Sequence, residues 1–372
     1  MQNYAVTERL VLRRPRRSVT STDVARAAGV SQSAVSRAFT PGASIAKETR
    51  DAIVATARKL GYSPRPAVQL GGGRKLPAIA IVMSDVTNPF FPELLAAFSV
   101  RLRSRGFVAE LHCAPPGVDI DALLPGLFRH KVAGVVVTSA TWSQHVATTC
   151  RDRGLPVVLF NRSVPIADLS TVSCDNYAGG RQVAELLLRS GHERIAFIAG
   201  REDTTSSRDR ERGLRDGLAA AGMEICAKEA GGYRYEGAFE ATRRLLNRKP
   251  LPDAIFCAND VMALAAIDAT MREGGLRVPE DVSIVGFDGI SMSAWPAYRL
   301  TTVRQRTDIM IDETIELLER LAAKPDSAGI SRLVTGVLEE RGTTRAAPGA
   351  QPVPASPAPK SAAGRHRSSR AA

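Results

Sequence analysis

Between Val19 and Phe39 the sequence reads V-T-S-T-D-V-A-R-A-A-G-V-S-Q-S-A-V-S-R-A-F. Gln32, Ser33 and Arg37 fall on one exposed face if residues 32–38 are helical. Amide, hydroxyl and guanidinium groups at such spacing can hydrogen-bond base edges in a DNA major groove, the guanidinium bidentately to guanine. The neighbouring residues supply an element to carry them. Thr20 is suited to cap a helix, and Asp23 three residues on completes a capping-box-like start. Val24, Ala25 and Ala28 form an apolar stripe. Gly29 takes positive φ cheaply at a tight turn. Ser31 caps a second helix, and Val35 packs it on the first. Ala25, Gly29 and Val35 have the spacing of a helix-turn-helix, which any helical hairpin with a glycine turn would share. A third helix, Lys47–Leu60, with Ile53, Ala57 and Leu60 on one side, completes a three-helix core and favours the DNA-binding reading.

The charge distribution agrees. The 372 residues carry a net +12. Residues 1–75 hold fourteen Lys/Arg against four Asp/Glu, and residues 341–372 hold six against none. Between them, 30 Lys/Arg face 34 Asp/Glu. A basic head and tail on a nearly neutral body describe an anion-binding module joined to something else, and the large anion that fits is nucleic acid.

Other classes fit poorly. No apolar run approaches the ~18 residues of a membrane span, and residues 1–17 lack the apolar core of a secretory signal. Cys113, Cys150, Cys174, Cys226 and Cys257 are scattered, with no Cys-x-x-Cys pair and no zinc spacing to a histidine. They read as reduced thiols in a cytoplasmic protein, with no metal and no cofactor. The chain lacks G-x-G-x-x-G, G-x-x-x-x-G-K-[ST] and G-x-S-x-G. An enzyme and a transport receptor are the weaker rivals to a regulator.

The organisation along the chain is a basic arm over 1–17 that composition marks as disordered, a helix-turn-helix domain over 18–63, a hinge or linker over 64–76, a core over 77–345 and a disordered Ala/Pro/Arg tail over 346–372. In the core, apolar runs at Ile79–Met83, Val108–Cys113, Gly134–Thr138, Pro156–Phe160, Ile195–Ala199, Ala254–Ala258 and Val282–Phe287 alternate with amphipathic stretches. That rhythm implies βαβ units, and their number implies two doubly wound, mostly parallel sheets.

The segments T-x-x-D-V-A-x-x-A-G-V-S-x-x-x-V-S-R, K-x-T-R and L-G-Y-x-P within 19–62 resemble the headpiece of the lac repressor (LacI/GalR) family. The resemblance extends over about nine-tenths of the chain. It includes S-D-V-T-N-P-F-F (84–91), C-D-N-Y-x-G-G (174–180), G-H-x-R-I-A-F-I-x-G (191–200), C-A-N-D-x-M-A (257–263), G-L-R-V-P-E-D-V-S-I-V-G-F-D (275–288), L-T-T-V (300–303) and L-E-E-R (338–341). It implies an all-α three-helix head and an α/β two-lobed body of the type I periplasmic-binding-protein kind. Lobe one would take about 77–174 plus 304–333, and lobe two 175–303 plus 334–345.

The resemblance also implies roles. The second helix would enter the major groove with Gln32, Ser33 and Arg37 on bases. Ser31, Ser36 and Thr49 match phosphate contacts, and Thr20 joins the DNA-facing set. The family's hinge helix has a leucine that wedges into the minor groove. Here P-R-P-A-V-Q-L-G (64–71) departs from that pattern, with Arg65 for the usual Asn, an extra Pro66 and Leu70 one residue early. Positions matching the effector cleft are Asp85, Asn88, Phe90, Phe91, Asn161, Arg210, Tyr233, Asn259, Asp260 and Asp288. Asn161 stands where many relatives have Asp. Aromatic faces with carboxylate, amide and guanidinium groups suit the paired hydroxyls of a neutral sugar or polyol. The implied function is an allosteric transcriptional regulator, commonly a repressor. A homodimer binds a pseudo-palindromic operator in double-stranded DNA and is controlled by that small molecule.

Overall fold

A computed structural model describes residues 20–39, 43–60, 62, 76–113, 124–130, 132–138, 149–150, 152–161, 169–325 and 327–346. Two compact units divide between Lys75 and Leu76. The arm over 1–17, Leu70 with the rest of the hinge up to 75, and the tail from 347 lie outside the described residues.

The first unit contains α1 (Ser21–Ala28), α2 (Gln32–Ala38) and α3 (Lys47–Leu60). Thr20 and Asp23 form a reciprocal capping box, and Gly29 ends α1 at φ 67°. Val24, Ala25, Val35, Ala38, Ile53 and Ala57 make its core. Leu60 is a correction. It is 40% exposed, because α3 ends there and the backbone turns back, with Tyr62 N–H donating to the Ala57 carbonyl. Tyr62 packs on the core instead, its ring centroid 6.0 Å from that of Phe39.

The second unit holds two six-stranded sheets. The first runs β11 (Ser331–Val334), β5 (Ser170–Cys174), β4 (Val157–Phe160), β3 (Gly134–Val137), β1 (Ala78–Met83) and β2 (Val108–Cys113) in spatial order, with each pairing parallel. The second runs β12 (Val337–Glu339), β10 (Thr301–Arg304), β9 (Ser283–Asp288), β8 (Ala254–Cys257), β6 (Ile195–Ala199) and β7 (Ala227–Ala230). Only the β10–β12 pairing there is antiparallel. Central strands such as A-I-A-I-V-M and S-I-V-G-F-D are buried almost end to end, as strands covered on both faces must be. Sequence periodicity passed over S-T-V-S-C at β5 and A-K-E-A at β7, which have no apolar run to mark them.

The helices between strands include α4 (Phe90–Ser104), α5 (Leu124–His130), α6 (Asn176–Arg189), α7 (Thr205–Ala219), α8 (Tyr235–Leu246), α9 (Asp260–Asp268) and α10 (Thr307–Ala323). The chain moves between sheets after β5, after β10 and after β11, so the stretch Ser331–Glu339 contributes a strand to each.

Helices α6 and α7 pack backbone to backbone. A Cβ built on Gly213 would overlap the Tyr177 carbonyl oxygen, and one on Gly180 would overlap the carbonyl oxygen of Arg210. Only glycine allows this approach, and it brings Asn176 at the start of α6 beside Arg210 on α7. Gly213→Ala should therefore destabilise the body by about 1–3 kcal/mol, the cost of overpacking against atoms that cannot rotate away. Gly126→Ala in α5, where nothing lies within 4 Å of the new Cβ, should be neutral or stabilising by up to about 1 kcal/mol. Denaturant titration of the two variants checks the contrast.

Candidate functional site

On the first unit, Ser31 caps α2, its hydroxyl accepting from Ala34 N–H at 3.3 Å and lying 2.9 Å from Ser33 Oγ. Gln32 Nε2 donates to Ser21 Oγ at 3.1 Å, tying the start of α2 to α1. Gln32, Ser33, Ser36 and Arg37 are exposed, and Thr49 in the first turn of α3 is half-buried. Thr20 is occupied by its cap, accepting from Asp23 N–H and donating its hydroxyl to Asp23 Oδ2 at 2.7 Å. The helix α2 thus presents an amide, hydroxyls and a guanidinium from a three-helix unit with its own core.

In the second unit, β1 lies between β2 and β3, and β6 between β7 and β8. The strand order reverses at these two places, and crevices in open α/β sheets form there, beyond the carboxyl ends of the strands. Most of the candidate residues collect at those ends. Arg210, 2% exposed, is the centre. Its Nε donates to Asn176 Oδ1 at 2.8 Å and its Nη1 to the Ala258 carbonyl just past β8. Its Nη2 lies 3.2 Å from Asp288 Oδ1 at the end of β9. The guanidinium carbon sits 3.6 Å from the centroid of the Phe287 ring. Asp288 also accepts from Gln305 Nε2 at 2.8 Å and holds φ at 120°, a conformation that stores strain in a non-glycine residue. Burial pushes its carboxyl above the usual range, and the Arg210 charge pulls it back down.

Among the described residues, three buried amide atoms have no hydrogen-bond partner: Asn161 Oδ1, Asn259 Nδ2 and Gln305 Oε1. Asn161 directly follows β4, with φ at 58°. Asn259 lies two residues past β8 and caps α9 through its oxygen, which accepts from Met262 N–H at 3.0 Å. Gln305 directly follows β10. One acceptor, one donor and one further acceptor at strand ends are unmet valences, each costly to leave dry. Tyr233, at φ 64°, is pinned by Ser206 Oγ at 3.0 Å from its hydroxyl and lies flat over Gly200, whose missing side chain leaves room for the ring.

Other candidates stand elsewhere. Asp260 is fully buried and saturated: Oδ2 accepts from the N–H groups of Gly289 (2.7 Å) and Ile290 (2.9 Å), and Oδ1 from the Thr302 hydroxyl (2.6 Å). Burial first, and the Asp288 charge second, push it up to about 8 against the pull of those three donors. It braces the turn that follows β9 and ties it to β10. Phe90 lies in the apolar core and meets Phe91 edge-on at 5.4 Å, so the half-buried Phe91 is the aromatic surface of the pair. Asp85 Oδ1 accepts from Thr87 N–H at 2.8 Å, the Thr87 hydroxyl at 2.6 Å and Asn88 N–H at 3.3 Å, and Asn88 Oδ1 accepts from Phe90 N–H at 3.1 Å. Both shape the loop into α4. Glu93 on α4 reaches across to Ser291 N–H at 3.0 Å, joining the two sheets. Sequence reasoning missed Asn176 and Gln305. The first was legible as the residue after Asp175 in C-D-N-Y, and the second had no signal but its place past a strand.

Residues 20–65 match the family described as bacterial regulatory proteins, lacI family, and residues 184–344 match the periplasmic binding protein-like domain. The chain is 34% identical over 312 residues to the HTH-type transcriptional regulator CelR of Thermobifida fusca, which covers 82% of this chain and 92% of that protein. It is 30% identical over 335 residues to the HTH-type transcriptional repressor CytR of Escherichia coli, covering 89% and 98%. Among solved structures, a CelR–cellobiose complex superposes with TM-score 0.65 at 32% identity, covering 87% of this chain and 99% of that one. The lac repressor dimer bound to operator and the anti-inducer ONPF gives TM-score 0.65 at 26% identity, covering 89% and 100%.

Replacing Arg210 with Met keeps its volume and strands the Asp288 carboxylate in a dry site. The expected loss is about 3–5 kcal/mol at pH 8. Without the guanidinium the Asp288 carboxyl rises further above its unfolded value. The folded variant then binds a proton more tightly than the unfolded chain, and its stability falls as pH rises. The deficit relative to wild type should therefore shrink as pH is lowered from 8 toward 5 in denaturant titrations. A deficit that does not change with pH would show that the pair is not electrostatically coupled.

Proposed function

The chain belongs to the lacI family of bacterial regulatory proteins, and from that premise we propose a transcriptional repressor whose operator affinity is set by a neutral, hydroxyl-rich molecule bound between its two sheets. Two copies place their α2 helices in successive major grooves of a pseudo-palindromic operator, with Gln32, Ser33 and Arg37 on base edges and Ser31, Ser36 and Thr49 on phosphates. Arg210 and Asp288 meet ligand hydroxyls from the second sheet, Asn161 and Phe91 from the first. Closure around the ligand changes how the two lobes stand and so the spacing of the DNA-binding heads.

The observation that carries the ligand class is the trio of unpartnered amide atoms on Asn161, Asn259 and Gln305. They offer both donor and acceptor capacity and no charge, which suits hydroxyls, each of which can give and take a hydrogen bond. The charges of the two buried carboxylates are already balanced or braced within the protein, Asp288 by Arg210 and Gln305, Asp260 by three donors, so Asp288 meets a ligand as half of a neutralised pair. Neither is placed to move a proton, so the cleft supports binding rather than turnover. CelR, solved with cellobiose, makes glucose disaccharides the first molecules to try.

Selection of operators from random double-stranded DNA by the full chain should return a pseudo-palindrome. Arg37→Ala should cost about 1–3 kcal/mol per half-site and relax one base pair in each half. In parallel, neutral mono- and disaccharides should raise the melting temperature by mass action, and Asn161→Ala should blunt that response. An equal Arg37→Ala loss on random DNA would reduce the residue to a phosphate contact. Stabilisation by nucleobases with none by sugars would overturn the ligand class.

A further inference from the structure

The edge of the first sheet carries a constellation unrelated to the cleft. Glu110 and His112 are two apart on β2, so they project from the same face of the edge strand. His130, the last residue of α5, comes up beside them. His130 Nδ1 is 2.7 Å from Glu110 Oε1, and His112 Nε2 is 3.1 Å from the same oxygen. The two imidazole rings stand 5.8 Å apart, edge to face. One ligand atom from each of the three residues falls within 4.8 Å of the others. Spacing along the chain conceals the trio, because its members come from two elements separated by a long connection.

We propose that Glu110, His112 and His130 form a binding site for a divalent transition-metal ion of the zinc class. Two imidazoles and one carboxylate are a donor set that such borderline ions favour, with further positions left to water. At metal–ligand bonds of about 2.0–2.1 Å, tetrahedral geometry sets ligand atoms roughly 3.3–3.4 Å apart. The 3.1 Å contact to Glu110 Oε1 is already near that value, and the 2.7 Å contact from His130 must open by about 0.6 Å, which the exposed His130 ring allows.

A second observation points the same way. Among the described residues, His112 Nε2 is buried and makes no hydrogen bond, although Glu110 Oε1 is 3.1 Å away, so the two atoms are close without being aligned as donor and acceptor. A buried ring nitrogen left this way is poorly served by a plain hydrogen-bonded cluster. It is served by an ion that both atoms can face. Glu110 supplies one negative charge toward the ion, while His130, half-exposed at the surface, supplies both an entry path and the freedom to close on it. Bound metal would fasten the edge strand β2 to the end of α5.

The test uses the full chain, freed of any polyhistidine tag, titrated with Zn²⁺ and with Co²⁺. One equivalent of Zn²⁺ should bind and raise the melting temperature. His130→Gln, an exposed change that leaves the core intact, should weaken binding by about tenfold or more, the loss seen even for groups that only support ligands. Glu110→Gln should do the same, and both variants should lose the thermal gain. The Co²⁺ adduct should lack a thiolate charge-transfer band. Undiminished binding in His130→Gln and Glu110→Gln, no binding by the wild-type chain, or a thiolate band pointing to a cysteine would each overturn the proposal.

Discussion

A guanidinium cannot be taken out of water without partners for its donors and its charge, and Arg210 is almost wholly out of water. Its solution determines the layout of the second sheet's carboxyl end. The Asn176 amide comes from the start of α6, the carbonyl from Ala258 after β8, the counter-charge from Asp288 at the end of β9, and a π face from Phe287. Gln305 after β10 then holds the far side of Asp288. One buried cation thus fixes the relative positions of two helices and three strand ends. Removing it would strand the other charge, which is why such pairs are costly to break even when they add little stability overall.

Several less visible features serve that arrangement. The glycine-to-backbone packing of α6 on α7 brings Asn176 and Arg210 within reach of each other. Asp260, fully buried, spends one oxygen on the turn after β9, directly beyond the positive-φ Asp288, and the other on the Thr302 hydroxyl of β10. What remains unmet at the strand ends, among the described residues, is a set of neutral amide atoms, and the proposed neutral, hydroxyl-rich ligand rests on that remainder together with the mutual neutralisation of Arg210 and Asp288.

Much of this was legible in the sequence. The ends of α3, β2 and β6 coincide with their apolar patterning, and the capping box at Thr20 and the glycine turn at Gly29 are local devices that local reasoning recovers. Leu60 misled because helical periodicity continues to the last residue of α3 while the packing passes to Tyr62. The strands A-K-E-A and S-T-V-S-C are held by their neighbours in the sheet and carry no apolar signature of their own. At the site, Arg210 and Asp288 stood out singly, yet their pairing depends on two parallel crossovers that no spacing reveals. Asp85 and Asp260 stand past strand ends as expected, and nothing in the sequence signalled that Asp85 would bond its own loop, or Asp260 the turn after β9 and Thr302 of β10. Glu110, His112 and His130 were invisible as a group for the same topological reason.

Occupancy of the proposed amide-lined cleft should be energetically coupled to DNA binding. Operator titrations followed by fluorescence anisotropy, with the full chain and a sugar shown independently to saturate its body, measure that coupling directly. Operator Kd should shift by roughly 5–150-fold between the empty and saturated protein, the range of ordinary allosteric coupling, while affinity for random DNA changes little. A saturating sugar that leaves operator Kd unchanged would contradict it.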